Sequence, residues 1–477
     1  MRRAKIVATL GPALDDPDRL RAALAAGIDV VRLNFSHGTK EEHRQRLDLV
    51  RNIGEDLGRR FGSLGDLQGP KIRLGMVPDP AIELVSGGEV ILVSGTETLD
   101  RHEEDGVPVL PVVYEHLATD VEPGAVILLD DGLLRLVVSS VEGERVNARV
   151  IAGGPAKSRK GVNLPGVDVS AKSMTDKDRE DVATMVDIGV DWIAMSFVRT
   201  ASDVTEVQDL IRSLGGQQPL VSKLERPEAV DNLEEIIAVT DAIMVARGDL
   251  GVEVGPERVP AIQKEMIDLA NQHSRPVITA TEMLDSMIRS PRPTRAEASD
   301  VANAIFDGTD AVMLSGETAA GSYPVEAVRT MARIIEVAES AAERVNPIAP
   351  LTGNILGRVV AKASVQIADD VDAKAILVFS FSGASIQLVS KFRPKQPVIG
   401  FSSEERTLNR LPMMWGVLGW KVAEKDQSNA LIVAADEVCL EQGYGQRGDR
   451  VVIVSGIPGG HGGTNRVMVH ELGQLPT

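Results

Sequence analysis

The feature that most constrains the fold is a repeated alternation of short apolar runs with longer amphipathic segments. The runs are rich in β-branched residues, and eight of them recur along the chain. They are Lys5–Gly11, Val30–Ser36, Ser63–Gln68, Trp192–Val198, Leu220–Glu225, Ala242–Ala246, Val277–Thr281 and Ala311–Leu314. Segments with helical periodicity, such as Pro17–Ala26 and Val259–His273, separate the runs. Strands that alternate with helices indicate a parallel sheet, and eight such strands predict a closed (β/α)8 barrel.

The alternation is interrupted between the third and fourth runs. From about Lys71 to Ser170 the sequence shows hairpin-like alternation punctuated by Gly and Pro, which predicts a small all-β domain inserted in the barrel. Beyond Val345, the stretch Asn346–Pro350 indicates a linker, and the helices and strands that follow predict an open-sheet α/β domain. We expect a barrel built from residues 1–70 and 171–345, an inserted β domain at 71–170, and a C-terminal α/β domain at 346–477.

Composition and charge exclude several classes of protein. The 477 residues are 43% hydrophobic and 25% charged, as in a soluble globular protein. There are 51 Lys and Arg against 69 Asp and Glu, so the net charge of −18 disfavours nucleic-acid and membrane partners. The single cysteine, Cys439, has no partner for an internal disulfide. With no signal-like or membrane-spanning apolar run, the sequence predicts a cytoplasmic protein.

Polar side chains stand at the ends of the predicted barrel strands, where the active sites of such barrels form. Arg32, Asn34 and Ser36 occupy alternate positions at the end of the second run and share one face. Further polar or turn positions follow at the ends of other runs: Asp66, Lys223, Glu225, Arg247, Gly248, Asp249 and Thr281. Lys223 and Glu225 alone could be a simple ion pair. Polar residues at the same end of successive strands favour a common site.

The residue types in this set predict a particular chemistry. Glu225 and Asp249 offer only oxygen ligands, which suit Mg²⁺ or Mn²⁺ and leave substrate oxygens and water to complete the metal shell. Lys223 adds a compact positive charge, and Arg32 adds a planar fork suited to phosphate. The turn that begins at Ala246 can open a helix whose free N–H groups bind an anion. Together these groups predict phosphoryl transfer or enolate stabilisation.

Seven segments carry a resemblance to a known family. They are Arg32–Gly38 (RLNFSHG), Gly69–Arg73 (GPKIR), Lys160–Gly166 (KGVNLPG), Met195–Val198 (MSFV), Ala246–Glu253 (ARGDLGVE), Thr294–Val301 (TRAEASDV) and Asp310–Ala319 (DAVMLSGETA). In this order they closely resemble the motifs of pyruvate kinases. The resemblance extends from Lys5 to about His470 and includes both additional domains.

The resemblance implies transfer of the phosphoryl group of phosphoenolpyruvate to ADP, which gives pyruvate and ATP in the final step of glycolysis. The substrate-binding positions that it implies are Arg32, Lys223, Gly248, Asp249 and Thr281. Arg32 would hold the phosphoryl group, Lys223 would neutralise it during transfer, and Thr281 would lie beside the enolate carbon. Glu225 and Asp249 would bind Mg²⁺.

The resemblance also implies a nucleotide site and an assembly. Its nucleotide-binding positions correspond to Asn34, Ser36, His37, Arg73 and Lys160. Because Arg73 and Lys160 lie in or beside the inserted β domain, we expect that domain to act as a lid that excludes water. The family resemblance further implies a homotetramer.

One departure from the family bears on cofactors. Members that need a monovalent cation read Asp-Thr-Lys-Gly-Pro-Glu where this chain reads DLQGPK, so that Lys71 replaces a glutamate. Asn34, Ser36 and Asp66, which would hold the cation, are retained. Since Lys71 can supply the charge that K⁺ would bring, we expect activity that does not require potassium.

The C-terminal domain contains a candidate effector site in the motif FSFSGAS, residues 379–385. Hydroxyl groups at a helix N-terminus can bind an anion, although a plain serine cap is the alternative interpretation. The matching loop in relatives holds an effector's phosphate, which assigns this role to Ser380, Ser382, Gly383 and Ser385. Phe381 stands where relatives regulated by a sugar bisphosphate have Lys, so we expect a monophosphorylated activator. The stretch Gly456–Gly463 is predicted to form a loop over this pocket.

Two alternatives remain open on the residues alone. A metal-dependent aldolase or lyase acting on a pyruvate enolate would also use an Arg, two carboxylates and a barrel. It would not explain the cationic pair Arg73 and Lys160. A catalytically inactive effector-binding scaffold would not need Arg32, Lys223 and Thr281 together.

Overall fold

The computed structural model describes residues 2–341, 351–423, 428–456 and 464–474. Eight parallel strands form a closed barrel in which each strand pairs with its neighbours in chain order. They are β1 (Lys5–Thr9), β2 (Val30–Asn34), β3 (Gly62–Asp66), β4 (Trp192–Met195), β5 (Leu220–Leu224), β6 (Ala242–Ala246), β7 (Val277–Ala280) and β8 (Ala311–Leu314). Closure is made where Lys5 of β1 pairs with Ala311 of β8. The predicted (β/α)8 barrel is therefore confirmed.

Helices surround the barrel and bury their apolar faces against it. They are Pro17–Ala26, Lys40–Asp56, Asp176–Ile188, Ala201–Ser213, Pro227–Asp231, Leu233–Val239, Arg247–Val254, Val259–Gln272, Arg295–Asp307, Gly316–Ala319 and Pro324–Ala341, with 3₁₀ turns at Pro12–Leu14 and Asp285–Ile288. Four begin after a threonine that forms a reciprocal capping box with an acidic residue: Thr39, Thr175, Thr200 and Thr294. Such caps satisfy free N–H groups and fix where a helix starts after its loop.

The inserted β domain lies between β3 and β4 in the chain. Its main sheet has seven strands, in the spatial order Val162–Asn163, Val126–Leu129, Leu134–Glu142, Arg145–Ala152, Glu89–Ser94, Val107–Val112 and Glu103–Glu104. A two-stranded ribbon pairs Ile82–Leu84 with Gly154–Ala156, and one helical turn spans Leu117–Asp120. The all-β prediction is confirmed, and the domain has its own apolar core.

The C-terminal domain is an open five-stranded sheet in the order Val417–Lys421, Val398–Ser402, Ile376–Phe379, Arg450–Ser455 and Arg466–Glu471. The last strand is antiparallel and forms an edge. The helices of this domain are Ile355–Asp370, Ala384–Lys391, Glu405–Arg410 and Ser428–Glu441, with a 3₁₀ turn at Leu411–Met413. The α/β prediction is confirmed, although it omitted the first and last strands of the sheet. The predicted linker 346–350 and residues 457–463 of the predicted glycine-rich loop lie outside the described residues.

The C-terminal domain packs on the amino-terminal end of the barrel. A buried ion cluster joins the two, with Lys391 Nζ 2.5 Å and Arg393 Nη1 2.8 Å from the carboxylate of Asp310, which precedes β8. Met413 packs among the residues that fill this end of the barrel interior. The carboxyl ends of the strands face away from this contact and remain available for a site. Across the described residues, no helix is both long enough and apolar enough to cross a membrane.

Candidate active site

Side chains from β2, β3 and β5 form one charged network at the carboxyl end of the barrel. Arg32 Nε donates to Asp66 Oδ2 over 2.6 Å, and Lys223 Nζ lies 3.4 Å from Asp66 Oδ1. The same ammonium is 3.0 Å from Glu225 Oε1. Both carboxylates are buried, with only 1% of each side chain exposed. The structure thus brings together four residues that the sequence assigned to the ends of three strands.

The network keeps its cations charged. Burial alone would lower the pKa of Lys223, but Asp66 and Glu225 outweigh it and raise that pKa above the usual value. Lys223 is consequently an ammonium throughout the neutral range, suited to neutralise a phosphate rather than to remove a proton. Arg32 also donates to Thr9 Oγ1, over 2.9 Å, so its guanidinium is held by two side chains.

A second part of the site lies where β6 and β7 end. Gly248 N–H, in the first turn of helix Arg247–Val254, donates to Thr281 Oγ1 over 2.7 Å. The Thr281 hydroxyl donates in turn to the carbonyl oxygen of Ala280 over 2.6 Å. Thr281 has φ of 71° and Glu282 has φ of 56°, in the left-handed region that non-glycine residues seldom occupy. Left-handed backbone at two successive residues is typical of a functional turn whose surroundings enforce it.

The donors at this edge fit a divalent cation. The pKa of Glu225 is raised by burial, Lys223 opposes the shift, and the charge of Asp249 adds to it. The two carboxylates are thus close enough to repel each other, which a cation between them would relieve. Within the described chain, no three His, Cys, Asp or Glu side chains are grouped to hold a metal. A metal here would need further oxygen ligands from substrate and water, as Mg²⁺ commonly does.

Lys71 lies beside this predicted metal site. Its Nζ is 3.5 Å from Asp249 Oδ1. The predicted monovalent-cation positions show other contacts: Asn34 Oδ1 accepts the N–H of Ser36 over 3.2 Å, while Asp66 binds Arg32 and Lys223. The structure therefore places the Lys71 ammonium against a predicted ligand of the divalent metal.

Some residues that shape the site were not predicted from the sequence. Ser196 accepts a hydrogen bond of 2.6 Å from Lys223 Nζ, and Phe197 N–H donates to Glu225 Oε2 over 2.9 Å. Phe197 has φ of 56°, so the chain turns sharply just after β4. Both belong to the quoted motif MSFV, whose position after an apolar run was the available signal.

The inserted β domain contacts the barrel beside the site. Asn163 Nδ2 donates to Glu253 Oε1 over 2.9 Å, and Arg226 Nη1 lies 3.1 Å from the same oxygen. Glu253 lies in the last turn of the helix that carries Gly248 and Asp249, and Arg226 follows Glu225 in the chain. One carboxylate thus connects the inserted domain to both segments that carry the predicted metal ligands.

The predicted nucleotide residues fall into two groups. Arg73 and Lys160 are neighbours in the inserted β domain, where Arg73 pairs with Gly161 in an antiparallel bridge. Lys160 Nζ is 2.8 Å from Asp130 Oδ1. Asn34 and Ser36 lie at and after the end of β2, followed by the exposed His37. No contact joins the two groups among the described side chains, and they lie on the inserted domain and the barrel respectively.

The predicted effector loop forms a set of hydroxyl groups at the start of helix Ala384–Lys391. Ser380 Oγ accepts the N–H of Gly383 over 3.0 Å, and Ser382 Oγ accepts that of Ala384 over 3.5 Å. Ser385 shares a short hydrogen bond with Thr464. Phe381 is exposed. The serines therefore cap the turn, and the loop presents no cation of its own.

Comparison with known proteins agrees with this arrangement. The family profile described as "Pyruvate kinase, barrel domain" matches residues 1–328, and "Pyruvate kinase, alpha/beta domain" matches residues 358–470. The chain belongs to the pyruvate kinase family. It is 43% identical over 474 residues to a pyruvate kinase of Mycobacterium tuberculosis, a match that covers 99% of each chain. It is also 44% identical to the pyruvate kinase of Sporosarcina psychrophila, in a match that covers 100% of this chain and 81% of the relative.

The fold agrees with a solved member of the family. A crystal structure of a pyruvate kinase from Cryptosporidium parvum superposes with a TM-score of 0.91 at 32% identity, covering 99% of this chain and 96% of the other. The chain is therefore a phosphotransferase of the pyruvate kinase family, and the family implies phosphoenolpyruvate and ADP as substrates and the use of a divalent metal.

Proposed function

We infer that this pyruvate kinase works with Mg²⁺, without a requirement for potassium, and with the residue roles that follow. The observation that carries the assignment is the network of Arg32, Asp66, Lys223 and Glu225, which sets two permanent cations beside a buried carboxylate at the carboxyl end of the barrel. Phosphoryl transfer depends on positioning and on stabilising charge, and this network supplies both.

The phosphoryl group of phosphoenolpyruvate binds between Arg32 and Lys223. A terminal oxygen of ADP forms the new bond to phosphorus as the bond to the enol oxygen breaks, and the enol oxygen keeps the electron pair. Lys223 stabilises the enolate that results, because its ammonium remains charged next to Asp66 and Glu225. Carbon 3 then takes up a proton, and pyruvate is formed.

Thr281 and Gly248 take part in substrate binding and in the proton step. The Gly248 N–H donates to Thr281 in this structure, so a substrate carboxylate that accepts the N–H groups of Gly248 and Asp249 would replace that bond. Replacement frees an acceptor position on the Thr281 oxygen, whose O–H still donates to the Ala280 carbonyl. We assign to this hydroxyl a place on the route by which a proton reaches the enolate carbon.

Glu225 and Asp249 are the residues that would hold Mg²⁺ or Mn²⁺. When bound, the ion supplies positive charge that orients substrate oxygens and stabilises the enolate. Each carboxylate has a cation beside it: Lys223 contacts Glu225, and Lys71 Nζ lies 3.5 Å from Asp249.

Lys71 supports independence from potassium. Its fixed charge lies 3.5 Å from Asp249, at a position where cation-dependent relatives have glutamate. A monovalent ion at Asn34, Ser36 and Asp66 would meet a carboxylate that Arg32 and Lys223 already neutralise. An added cation would therefore gain little.

For the remaining predictions, we infer a nucleotide site formed by Asn34, Ser36, His37, Arg73 and Lys160, with the inserted β domain (71–170) as its lid. We also infer a homotetramer and a monophosphorylated activator at the loop of Ser380, Ser382, Gly383 and Ser385. The hydroxyl groups at this helix start support anion binding there.

A coupled assay tests the central proposal. Pyruvate should form from phosphoenolpyruvate only when ADP and Mg²⁺ are both present, and addition of potassium at constant ionic strength should change the rate by less than about twofold. Pyruvate formation without ADP would contradict phosphoryl transfer to the nucleotide. Strong activation by potassium would contradict the role assigned to Lys71.

A further inference from the structure

Arg32 has a polar neighbour on each of the two strands that flank β2. The register of β1 and β2 places Thr9 beside Arg32, and Asp66 ends β3 on the other side. Side chains at alternate positions of a strand share a face. Val7 and Val30, two positions earlier on β1 and β2, pack in the barrel interior. Thr9 and Arg32 therefore point into the barrel side by side, at its carboxyl end.

The Thr9 hydroxyl is held in one orientation. The residue is only 3% exposed, and its Oγ1 donates to the carbonyl oxygen of Leu314, at the end of β8, over 3.1 Å. The hydrogen thus points away from Arg32, and the oxygen accepts the hydrogen bond that Arg32 Nη1 donates over 2.9 Å. The main chain is fixed as well, since the Thr318 hydroxyl donates to the carbonyl oxygen of Thr9 over 2.9 Å. Thr9 is therefore an acceptor of fixed direction.

Two contacts fix the plane of the Arg32 guanidinium. Nε donates to Asp66 Oδ2, and Nη1 donates to Thr9 Oγ1. Within the described part of the chain, Nη2 donates no hydrogen bond to the protein. Because the N–H groups of a guanidinium lie in one rigid plane, holding it at two nitrogens also sets the direction of the donors that remain. These remaining donors are the ones that can contact phosphoryl oxygens.

Asp66 offers Arg32 a competing arrangement. Its Oδ1 is buried and accepts no hydrogen bond among the described residues, although Lys223 Nζ lies 3.4 Å away. Arginine and a carboxylate frequently pair through two parallel hydrogen bonds. A turn of the guanidinium that brought Nη2 to this oxygen would form such a pair and would withdraw a donor from the substrate. The bond from Nη1 to Thr9 opposes that turn.

We propose that Thr9 is a positioning residue for phosphoryl transfer. Its hydroxyl keeps Arg32 from closing onto Asp66 and directs the free N–H groups toward the phosphoryl group of phosphoenolpyruvate. The inference rests on the proposed function, because it takes Arg32 to bind that group. Thr9 acts through Arg32 and need not touch the substrate. In this way β1 also contributes to the site, although no residue of the run Lys5–Gly11 was predicted to do so.

Binding of phosphoenolpyruvate to the full chain, measured by isothermal titration with Mn²⁺ and without ADP, tests the proposal. Thr9→Val keeps the branched shape but removes the acceptor, and should weaken binding about tenfold, as loss of a hydrogen bond to a charged group does. Thr9→Ser keeps the hydroxyl and should recover most of the lost affinity. In steady-state assays, Thr9→Val should lower kcat/KM for phosphoenolpyruvate by a similar factor, about tenfold, and leave KM for ADP near the parental value.

A double-mutant cycle shows whether Thr9 acts through Arg32. Arg32→Met alone should weaken binding of phosphoenolpyruvate by at least about tenfold. Adding Thr9→Val to it should change the affinity by less than about twofold, since no guanidinium remains to be positioned. If the loss in Thr9→Val came instead from a general disturbance of the barrel, the two effects would multiply.

Thr279→Val is the matched control. Thr279 is a fully buried threonine of β7 whose hydroxyl donates to Thr309 Oγ1 over 3.0 Å, and none of its described contacts is with Arg32. This variant also loses a buried hydroxyl and should lower the thermal unfolding midpoint to a similar extent. It should nevertheless bind phosphoenolpyruvate as the parent does.

Three results would overturn the proposal. Thr9→Val could bind as the parent while Arg32→Met does not, Thr9→Ser or Thr279→Val could lose as much affinity as Thr9→Val, or the effects of Thr9→Val and Arg32→Met could multiply. Failure of the proposed function gives a different result, in which Arg32→Met itself binds phosphoenolpyruvate as the parent does. The assignment of the phosphoryl group to Arg32 then falls, and the role of Thr9 falls with it.

Discussion

The hydrogen bond between Asn163 and Glu253 links the inserted β domain to the barrel. Its removal tests whether catalysis depends on that link. Asn163→Ala removes a hydrogen bond of 2.9 Å to a buried carboxylate, Glu253, and leaves the ion pair between Glu253 and Arg226 in place. We expect the domain to open more often, because this hydrogen bond joins it directly to the helix carrying Asp249.

The size of the effect follows from the type of bond. A hydrogen bond to a charged group contributes about 1.5–3 kcal/mol, which corresponds to a change of about 10- to 100-fold in the equilibrium constant for closure of the domain. Lys71 near Asp249 and the contacts of Arg199 with Val169 and Ala171 remain in the variant. We therefore expect the lower end, a fall of about tenfold in kcat/KM for ADP.

The assay measures pyruvate formation over a range of ADP concentrations at saturating phosphoenolpyruvate, with the thermal unfolding midpoint as a check on folding. Asn147→Ala is the matched control, since Asn147 donates to Ser140 over 3.0 Å within the same domain and does not contact the barrel. Its kcat/KM should stay within about twofold of the parent. The reasoning fails if Asn163→Ala keeps the parental kcat/KM, or if Asn147→Ala loses as much.

Three further predictions concern the site and the barrel. Lys223→Met should lower kcat by about 10²–10³-fold, because the variant loses one donor that stabilises the transition state. The affinity for Mn²⁺, measured by titration, should change little. A larger loss of metal affinity than of kcat would contradict the role of Lys223. Lys71→Glu should make the rate depend on potassium, measured at constant ionic strength, and a variant indifferent to potassium would refute the charge argument. Burial raises the pKa of Asp191 to about 6, although Ser63 opposes the shift. Since the folded state then binds the proton more tightly than the unfolded state, the free energy of unfolding should fall by about 2 kcal/mol from pH 4 to pH 6. Urea titrations should show that Asp191→Asn removes this part of the pH dependence.

The barrel could be predicted because each of its strands is buried on both faces. Most of these strands are short apolar runs, although β2 (VVRLN) and β3 (GSLGD) contain polar residues, and all eight were found from the sequence. Two strands of the C-terminal sheet were missed. Val417–Lys421 and Arg466–Glu471 lie at the two edges of that sheet and are partly exposed, so that neither run is uniformly apolar.

The site could be predicted in part for a related reason. In a parallel barrel the strand ends converge, so Arg32, Asp66 and Lys223 could be assigned to one site from position alone. Contacts between distant segments leave no such pattern. Asn163 and Glu253 are 90 residues apart, and nothing in their spacing indicates that they meet.

The placement of Lys71 shows how such a long-range contact can alter the chemistry of a site. Its Nζ lies near Asp249, while a Cβ at Gly161 of the inserted domain would stand only 3.5 Å from Lys71 Cε. The side chain therefore lies between the two domains. At the proposed positions a potassium ion would bind to groups of the barrel, whereas this ammonium contacts Asp249 from between the two domains. In the function that we propose, replacing the ion by Lys71 would therefore couple the electrostatics of catalysis to closure of the domain.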